Sequence, residues 1–240
     1  MEKELVFYQP EFEMIVRRKL SIEDRPIYLT DVLNVFELDL SGFWFDVRDC
    51  ETLSQFKNLQ CLYIDFGFKD ISFIASLKKL TDLSFEYGYD FDFKYLSELK
   101  NLKDLFVSGG VYSSMKLINL EMISEIIGLE SLSLHEFGYV DLRPLKKMQN
   151  LKRFFCGWAD KVDNYDSIGE LKNLEELMLI DFPMDNIEFL KKLPVDMSLE
   201  LCGIQFTKEI DISILERFKE KDISEITINN ERVLFDGDYR

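Results

Sequence analysis

The amino-acid sequence predicts an α/β fold made of about nine repeated coils, a leucine-rich repeat solenoid. The clearest unit lies in segment 171–182, where Leu174, Leu177 and Leu179 occupy positions 1, 4 and 6 of an L-x-x-L-x-L pattern, which is typical of one short strand. The pattern recurs at steps of 21 to 27 residues, with its fourth position held by the following residues: Leu38, Leu62, Leu83, Leu105, Leu132, Phe154, Leu177 and Leu199. Because each coil buries its apolar side against its neighbours, the repeat predicts one continuous domain.

Residues 1–34 do not fit the repeat, and we predict that they form an N-terminal cap over the first coil. Within them, apolar residues at near-helical spacing predict a short amphipathic helix: Phe12, Ile15, Val16 and Leu20. Pro26 ends this segment, and Thr30 followed by Asp31 predicts a capped helical turn that leads into the first strand.

Residues 35–210 form the predicted solenoid. Between its strands, segments such as KYLSELKNL and RPLKKMQNL combine apolar residues at helical spacing with Lys and Glu, which predicts short helical turns on the other side of each coil. Residues 211–240 are predicted to hold the last coil and a C-terminal cap. In this region we place Ile223, Ile226 and Ile228 in the ninth strand, with Val233 and the two residues after it covering the end.

The chain is strongly acidic, with a formal charge of −16 and a pI of about 4.6. This charge excludes nucleic acid and anionic membranes as favourable partners and favours a basic protein surface, although acidity that simply keeps a long solenoid soluble is an equal explanation. We find no secretory signal and no apolar run of transmembrane length, so we expect a cytoplasmic protein that is monomeric when free. The four cysteines show no C-x-x-C spacing, and we expect all of them to be reduced: Cys50, Cys61, Cys156 and Cys202.

The string RPIYLTDVLNVFELDLSG and units such as YLSELKNLKDLFV resemble the cap and repeats of bacterial internalin-like leucine-rich repeat proteins. The resemblance runs from about Pro26 to Leu193. It implies a curved, right-handed solenoid with a parallel sheet on the concave face and short helical or 3₁₀ segments on the convex face. The chain departs from the family at position 9, which usually holds asparagine but here holds Gly67, Gly88, Gly110, Phe137, Ala159 and Phe182. We therefore expect no regular asparagine ladder.

Alternation along each strand sends positions 3, 5 and 7 to the solvent-facing concave side, with position 8 close by. Aromatic residues in the centre and carboxylates around them are what a binder of a basic protein needs, because rings supply buried area and carboxylates steer encounter. We predict that the following residues bind the partner: Tyr63, Asp65, Asp82, Glu86, Tyr87, Phe106, His135, Glu136, Phe155, Trp158, Glu176, Met178 and Asp181. The alternative is that the rings stack along the sheet for structural reasons alone.

The sequence predicts no catalytic residue, no cofactor and no metal. His135 is the single histidine, and no nucleophile-elbow pattern surrounds the serine beside it. Zinc spacings, calcium loops and phosphate loops are also absent from the sequence. We therefore predict a non-catalytic protein-binding module, an intracellular bacterial immunity-type inhibitor of a basic toxin or nuclease. A structural adaptor that joins two proteins through opposite faces is the alternative, and an enzyme is a third.

Overall fold

A computed structural model describes residues 2–42, 48–64, 71–86, 93–109, 120–181, 183–206, 208–224, 226–228 and 231–233. The strands in these ranges are β1 (Glu37–Leu40), β2 (Cys61–Ile64), β3 (Asp82–Glu86), β4 (Asp104–Ser108), β5 (Ser131–Phe137), β6 (Val140–Asp141), β7 (Arg153–Ala159), β8 (Val162–Asp163), β9 (Glu176–Ile180), β10 (Pro183–Met184), β11 (Ser198–Cys202), β12 (Gln205–Phe206), β13 (Glu220–Ser224), β14 (Ile226–Ile228) and β15 (Glu231–Val233). Among the described residues, nine strands form one sheet in the order β1-β2-β3-β4-β5-β7-β9-β11-β13.

The register of this sheet aligns equivalent repeat positions across the whole solenoid. Leu62 lies opposite Leu83, and Leu177 lies opposite Leu199, so that the leucine positions of successive coils stack in parallel. Side chains at positions 4 and 6 are buried in nearly every coil, while their strand neighbours are half-buried or exposed. The predicted leucine-rich repeat solenoid of about nine coils is therefore confirmed.

The convex side is built from short helical segments, as the sequence predicts. The α-helices are α1 (Pro10–Leu20), α2 (Asp49–Leu53) and α3 (Leu120–Ile123), and 3₁₀ turns cover Asp31–Asn34, Ser72–Ser76, Phe93–Glu98, Arg143–Lys147, Tyr165–Glu170, Glu188–Lys192 and Ile212–Arg217. Each turn buries apolar side chains such as Leu96, Leu145 and Ile168, which are fully shielded from solvent. Because a single turn suffices to return the chain to the sheet, 3₁₀ geometry is tolerated here in short pieces.

The N-terminal cap contains the predicted helix, with Phe12 and Val16 buried against the first coil. The segment before it is tied to the second coil, because the Tyr8 backbone N–H donates to Asp49 Oδ1 at 2.9 Å. The predicted capping role of Thr30 is wrong, since its hydroxyl donates to the Glu2 carboxylate instead. Asp31 stabilises this turn by accepting the Tyr28 N–H at 2.8 Å.

The predicted ninth strand is wrong in register. Lys221, and not Ile226, lies opposite Leu199, and residues 226–228 form β14 in a second sheet with the order β10-β12-β14-β15. The ninth coil carries exposed Lys221 at the position where earlier coils place a buried apolar residue. The hydrophobic pattern consequently misses this strand and selects the next isoleucine run. Leu234 and Phe235, predicted to cover the end, lie outside the described residues.

Asparagines link successive coils, but at a different position from that of the internalin-like family. The residue just before position 1 is asparagine in five coils, and in four of them its side-chain amide donates to a backbone carbonyl of the preceding coil at 2.7 to 2.8 Å. These four are Asn58, Asn101, Asn150 and Asn173. Such bonds satisfy carbonyl groups that the tight convex turns leave without backbone partners.

Candidate protein-binding site on the concave face

The concave face presents three rows of side chains, formed by positions 3, 5 and 7 of the nine strands. The row at position 5 places Phe106, Ser133, Phe155 and Met178 on successive strands in exact register across β4, β5, β7 and β9. All four are half-buried, so each is covered by its neighbours in the row and still reaches the surface. The predicted alternation between core and concave face therefore holds along the centre of the sheet.

Four rings from three neighbouring coils form one cluster on this face. The His135 ring stacks on Phe155 with centroids 4.0 Å apart and an interplanar angle of 24°, and Phe106 lies on its other side at 4.4 Å. Trp158 contacts both His135 and Phe155, at 5.2 and 5.7 Å. Contacts at these distances are favourable ring packing, so the cluster is a preformed surface.

The cluster lines a depression of about 490 Å³ on the concave face. We call it the aromatic depression and define it by Phe106, His135, Phe155 and Trp158 together with Glu176, Met178 and Ile180, which border it. Gly157 makes room for it, because a Cβ at that position would lie 2.9 Å from the tip of the Phe155 ring. A glycine at position 7 thus lets the tip of the Phe155 ring approach the backbone of its own strand.

Trp158 adopts a backbone conformation that a bulky residue rarely takes. Its φ angle is 54°, in the left-handed region, and the described residues at position 8 share this region in four further coils: Gly42, Glu136, Asp181 and Gly203. Left-handed φ costs a non-glycine residue about 1 kcal/mol, and a tryptophan there is an outlier. The indole is nevertheless 44% exposed, so the strain is not offset by full burial. An exposed aromatic residue held in a strained conformation is a feature of binding sites.

The aromatic depression is neutral in its centre. Burial among the other rings lowers the pKa of the His135 imidazole to about 4, so the ring carries no charge at pH 7. Arg153 is the only Lys or Arg among the described residues at positions 3, 5 and 7, and sequence reasoning missed it. Its guanidinium Nη2 donates to Asp104 Oδ1 at 2.6 Å, across the intervening strand β5. This ion pair borders one side of the depression, and the Asp104 carboxylate neutralises the charge of the Arg153 guanidinium.

Carboxylates without ion partners border the opposite side. Glu176 is exposed and, in the part of the chain that the structure describes, makes no salt bridge. On the next two strands, Glu200 and Asp222 continue the acidic surface. Burial and then the nearby charges of Asp222 and Glu176 raise the pKa of the Glu200 carboxyl. Crowding of like charges makes this end of the face favourable for a cation. Neither Glu200 nor Asp222 is among the binding residues that the sequence predicts.

The remaining predicted binding residues lie apart from the aromatic depression. Tyr63 is 38% exposed but sits on β2, and Ser84 separates it from Phe106 in the row. Asp82 and Glu86 lie on β3, at positions 3 and 7. Two more predicted residues, Asp65 and Tyr87, lie outside the described residues. The structure therefore groups eight of the predicted residues in or beside the depression, and these are Phe106, His135, Glu136, Phe155, Trp158, Glu176, Met178 and Asp181.

Ser133 and His135 lie at positions 5 and 7 of β5, which the strand alternation places on the concave face. Glu136, at position 8, accepts a hydrogen bond from Ser108 Oγ at 3.2 Å. In the described ranges no three His, Cys, Asp or Glu residues are grouped as metal ligands, and no helix there is long and apolar enough to cross a membrane. All four cysteines are free thiols.

The fold is similar to that of solved leucine-rich repeat proteins. Internalin C2 from Listeria monocytogenes superposes with a TM-score of 0.74 at 17% identity, covering 92% of this chain and 95% of that one. The plant peptide hormone receptor RGFR1, solved in complex with RGF2, gives a TM-score of 0.55 at 17% identity, covering 80% of this chain and 32% of the receptor. Mouse RP105, solved in complex with MD-1, gives 0.51 at 18% identity, covering 72% of this chain and 35% of that one.

No protein-family model matches the sequence, and no curated protein matches it. Internalin C2 is matched over nearly its whole length, whereas this chain spans about a third of the other two matched chains. Because the identities are low, these similarities concern the fold. The chain has a bacterial internalin-like leucine-rich repeat fold.

Proposed function

We propose that this protein is a non-catalytic module that binds a basic protein through its concave face. The observation that carries the proposal is the aromatic depression, in which half-buried rings and the exposed Trp158 lie beside carboxylates without ion partners. Interface centres are rich in aromatic residues, and complementary charge around them speeds encounter. Two solved structures with this fold, RGFR1 with RGF2 and RP105 with MD-1, contain a bound partner.

The acidic charge supports a basic partner more specifically. The formal charge is −16, and carboxylates recur along the concave rows, including Glu37, Asp39, Asp82, Glu176, Glu200 and Asp222. Together with the free thiols, which favour a reducing compartment, this leads us to the finer proposal of a cytoplasmic immunity-type inhibitor. It would neutralise a basic toxin or nuclease by covering the active surface of that protein.

The adaptor alternative needs a second apolar surface on the convex side. Four exposed large apolar residues lie on the described convex segments of the coils: Leu33 at 37%, Ile127 at 79%, Val195 at 43% and Ile212 at 38% exposed. They lie on four different convex segments, and single exposed apolar residues are common on protein surfaces. The concave face, where apolar groups are contiguous, is therefore the better binding surface.

Affinity capture from the native host's lysate tests the proposal. The concave variant is Phe155→Ser with Trp158→Gly, and the matched control is Ile127→Ser, which removes the most exposed apolar residue of the convex side. We expect wild type and the control to capture the same basic protein, the concave variant to lose it, and capture to weaken as salt is raised. Equal capture by all three proteins would refute the concave site. Failure of the captured protein to lose activity on binding would refute the inhibitor role alone.

A further inference from the structure

We propose that the aromatic depression receives an arginine side chain of the partner protein, with the guanidinium group stacked on Phe155 and Trp158 and facing Glu176. This inference rests on the proposed function and names the group that the concave face recognises. It follows from the shape of the ring cluster, from the charges around it and from what each possible occupant would leave unsatisfied.

The rings offer flat surfaces to a planar cation. His135 and Phe155 are stacked within 24° of parallel, and Trp158 meets both at an angle, so the cluster presents ring faces in more than one orientation. A guanidinium group is planar and weakly hydrated, and it stacks on aromatic faces more readily than an ammonium group does. Because the His135 imidazole is neutral at pH 7, it does not repel this cation.

The charges around the rings match a single incoming cation. Glu176 lies opposite Arg153 in the register of β7 and β9, but Arg153 pairs with Asp104 two strands away and leaves the Glu176 carboxylate available. In the row at position 8, Trp158 stands between the two acidic residues Glu136 and Asp181. Acidic residues therefore neighbour Trp158 along the row, and of the nearby acidic residues it is Glu176 that lines the depression.

Other occupants fit this arrangement less well. A leucine or phenylalanine side chain would fill the apolar space but would bury Glu176 without a partner, which is costly. A lysine would supply the charge, but its compact and strongly hydrated ammonium gains less from flat rings. Arginine satisfies both the rings and the carboxylate at once, since its fork of N–H donors matches carboxylate oxygens while its plane stacks.

A peptide titration tests the assignment on the intact protein. The probe is acetyl-Gly-Ser-Arg-Ser-Gly-amide, compared with the same peptide carrying lysine, leucine or citrulline, the neutral isostere of arginine. Binding is followed by NMR through the indole N–H signal of Trp158, identified by its loss in Trp158→Gly. We expect the arginine peptide to bind about tenfold more tightly than the citrulline and lysine peptides, from the size of cation–π and charge-assisted contacts.

A matched pair of charge variants completes the test. Glu176→Gln should weaken binding of the arginine peptide several-fold, whereas Glu216→Gln, the same change at an exposed convex position, should leave it unaltered. Equal binding of the lysine or citrulline peptide, tighter binding of the leucine peptide, or equal effects of the two variants would overturn the assignment. If the Trp158 signal does not move while partner capture still depends on Phe155 and Trp158, the binding proposal stands and the arginine assignment is wrong.

Discussion

The left-handed backbone of Trp158 leads to a prediction that reverses an ordinary rule of stability. Within strands and helices, alanine is more stabilising than glycine by about 0.5 to 1 kcal/mol, because glycine loses more backbone freedom on folding. At φ 54°, however, alanine keeps the Cβ strain that Trp158 bears, while glycine has none. We therefore expect Trp158→Gly to be more stable than Trp158→Ala by about 1 kcal/mol.

Both substitutions also remove the indole contacts, and the structure bounds that loss. Trp158 is 44% exposed, so about half of its side chain is buried, mainly against His135 and Phe155. Burial of about 100 Å² of apolar surface corresponds to about 2.5 kcal/mol. Relief of strain in Trp158→Gly offsets about 1 kcal/mol of this, which leaves a net destabilisation of about 1 to 2 kcal/mol. Trp158→Ala has no such relief and should lose about 2 to 3 kcal/mol.

Urea unfolding followed by far-ultraviolet circular dichroism measures the difference, since this signal does not depend on the tryptophan being removed. The matched pair is Phe155→Ala and Phe155→Gly on the same strand, three residues away, where the usual order should hold because Phe155 is absent from the positive-φ residues. Asp181, with φ 54° in the next coil, should repeat the reversed order. If alanine is the more stable substitution at position 158 as well as at position 155, the strain argument is wrong.

Three further predictions concern the rest of the solenoid. The pKa of His135 in the folded chain is about 4, below its value in the unfolded chain, so protonation favours unfolding. The free energy of unfolding should therefore fall by about 1 to 2 kcal/mol between pH 7 and pH 5, as measured by urea titrations at the two pH values. This loss should be absent in His135→Phe. Asn150→Ala should lower the free energy of unfolding by about 1 kcal/mol, because it removes the 2.8 Å hydrogen bond to the Ile127 carbonyl. Gly128 occupies the equivalent position of the neighbouring coil, and a Cβ there would lie 3.6 Å from the Lys100 carbonyl oxygen. Gly128→Asn should therefore add a similar bond and raise the melting temperature. Gly109→Ala would place its Cβ 2.2 Å from the Glu136 carbonyl oxygen and should destabilise by more than about 2 kcal/mol, and an unchanged melting temperature would contradict the close approach.

The periodic part of the fold was predictable because leucine at positions 4 and 6 has one physical role in every coil. Leu62 and Leu177 are both completely buried, although they lie five coils apart. The prediction failed at Lys221, because this position of the ninth strand is exposed and does not require leucine. The coil-linking asparagines were missed for a different reason, since their position relative to the leucines differs from that in the resembling family.

The candidate site was predictable in its composition and less so in its arrangement. Alternation placed Phe106, His135 and Phe155 on one face, but ring contacts depend on how side chains lean across strands, which a single sequence does not contain. For the same reason the separation of Tyr63 from the cluster was not foreseen. The left-handed backbone at position 8 is visible in the sequence, because three coils hold there residue types that tolerate positive φ: Gly42, Asp181 and Gly203.

That signal also sharpens the argument for a binding role of Trp158. Glycine adopts the left-handed backbone of position 8 without strain, and the first and eighth coils, where φ is positive, carry glycine there. In the sixth coil the chain instead carries its bulkiest side chain, at a conformational cost and with 44% of the residue exposed. The contacts with His135 and Phe155 offset that strain within the free protein, but they leave the exposed part of the indole in contact with solvent. A partner that covers this part of the indole buries the remaining apolar surface, which packing within the free protein does not do.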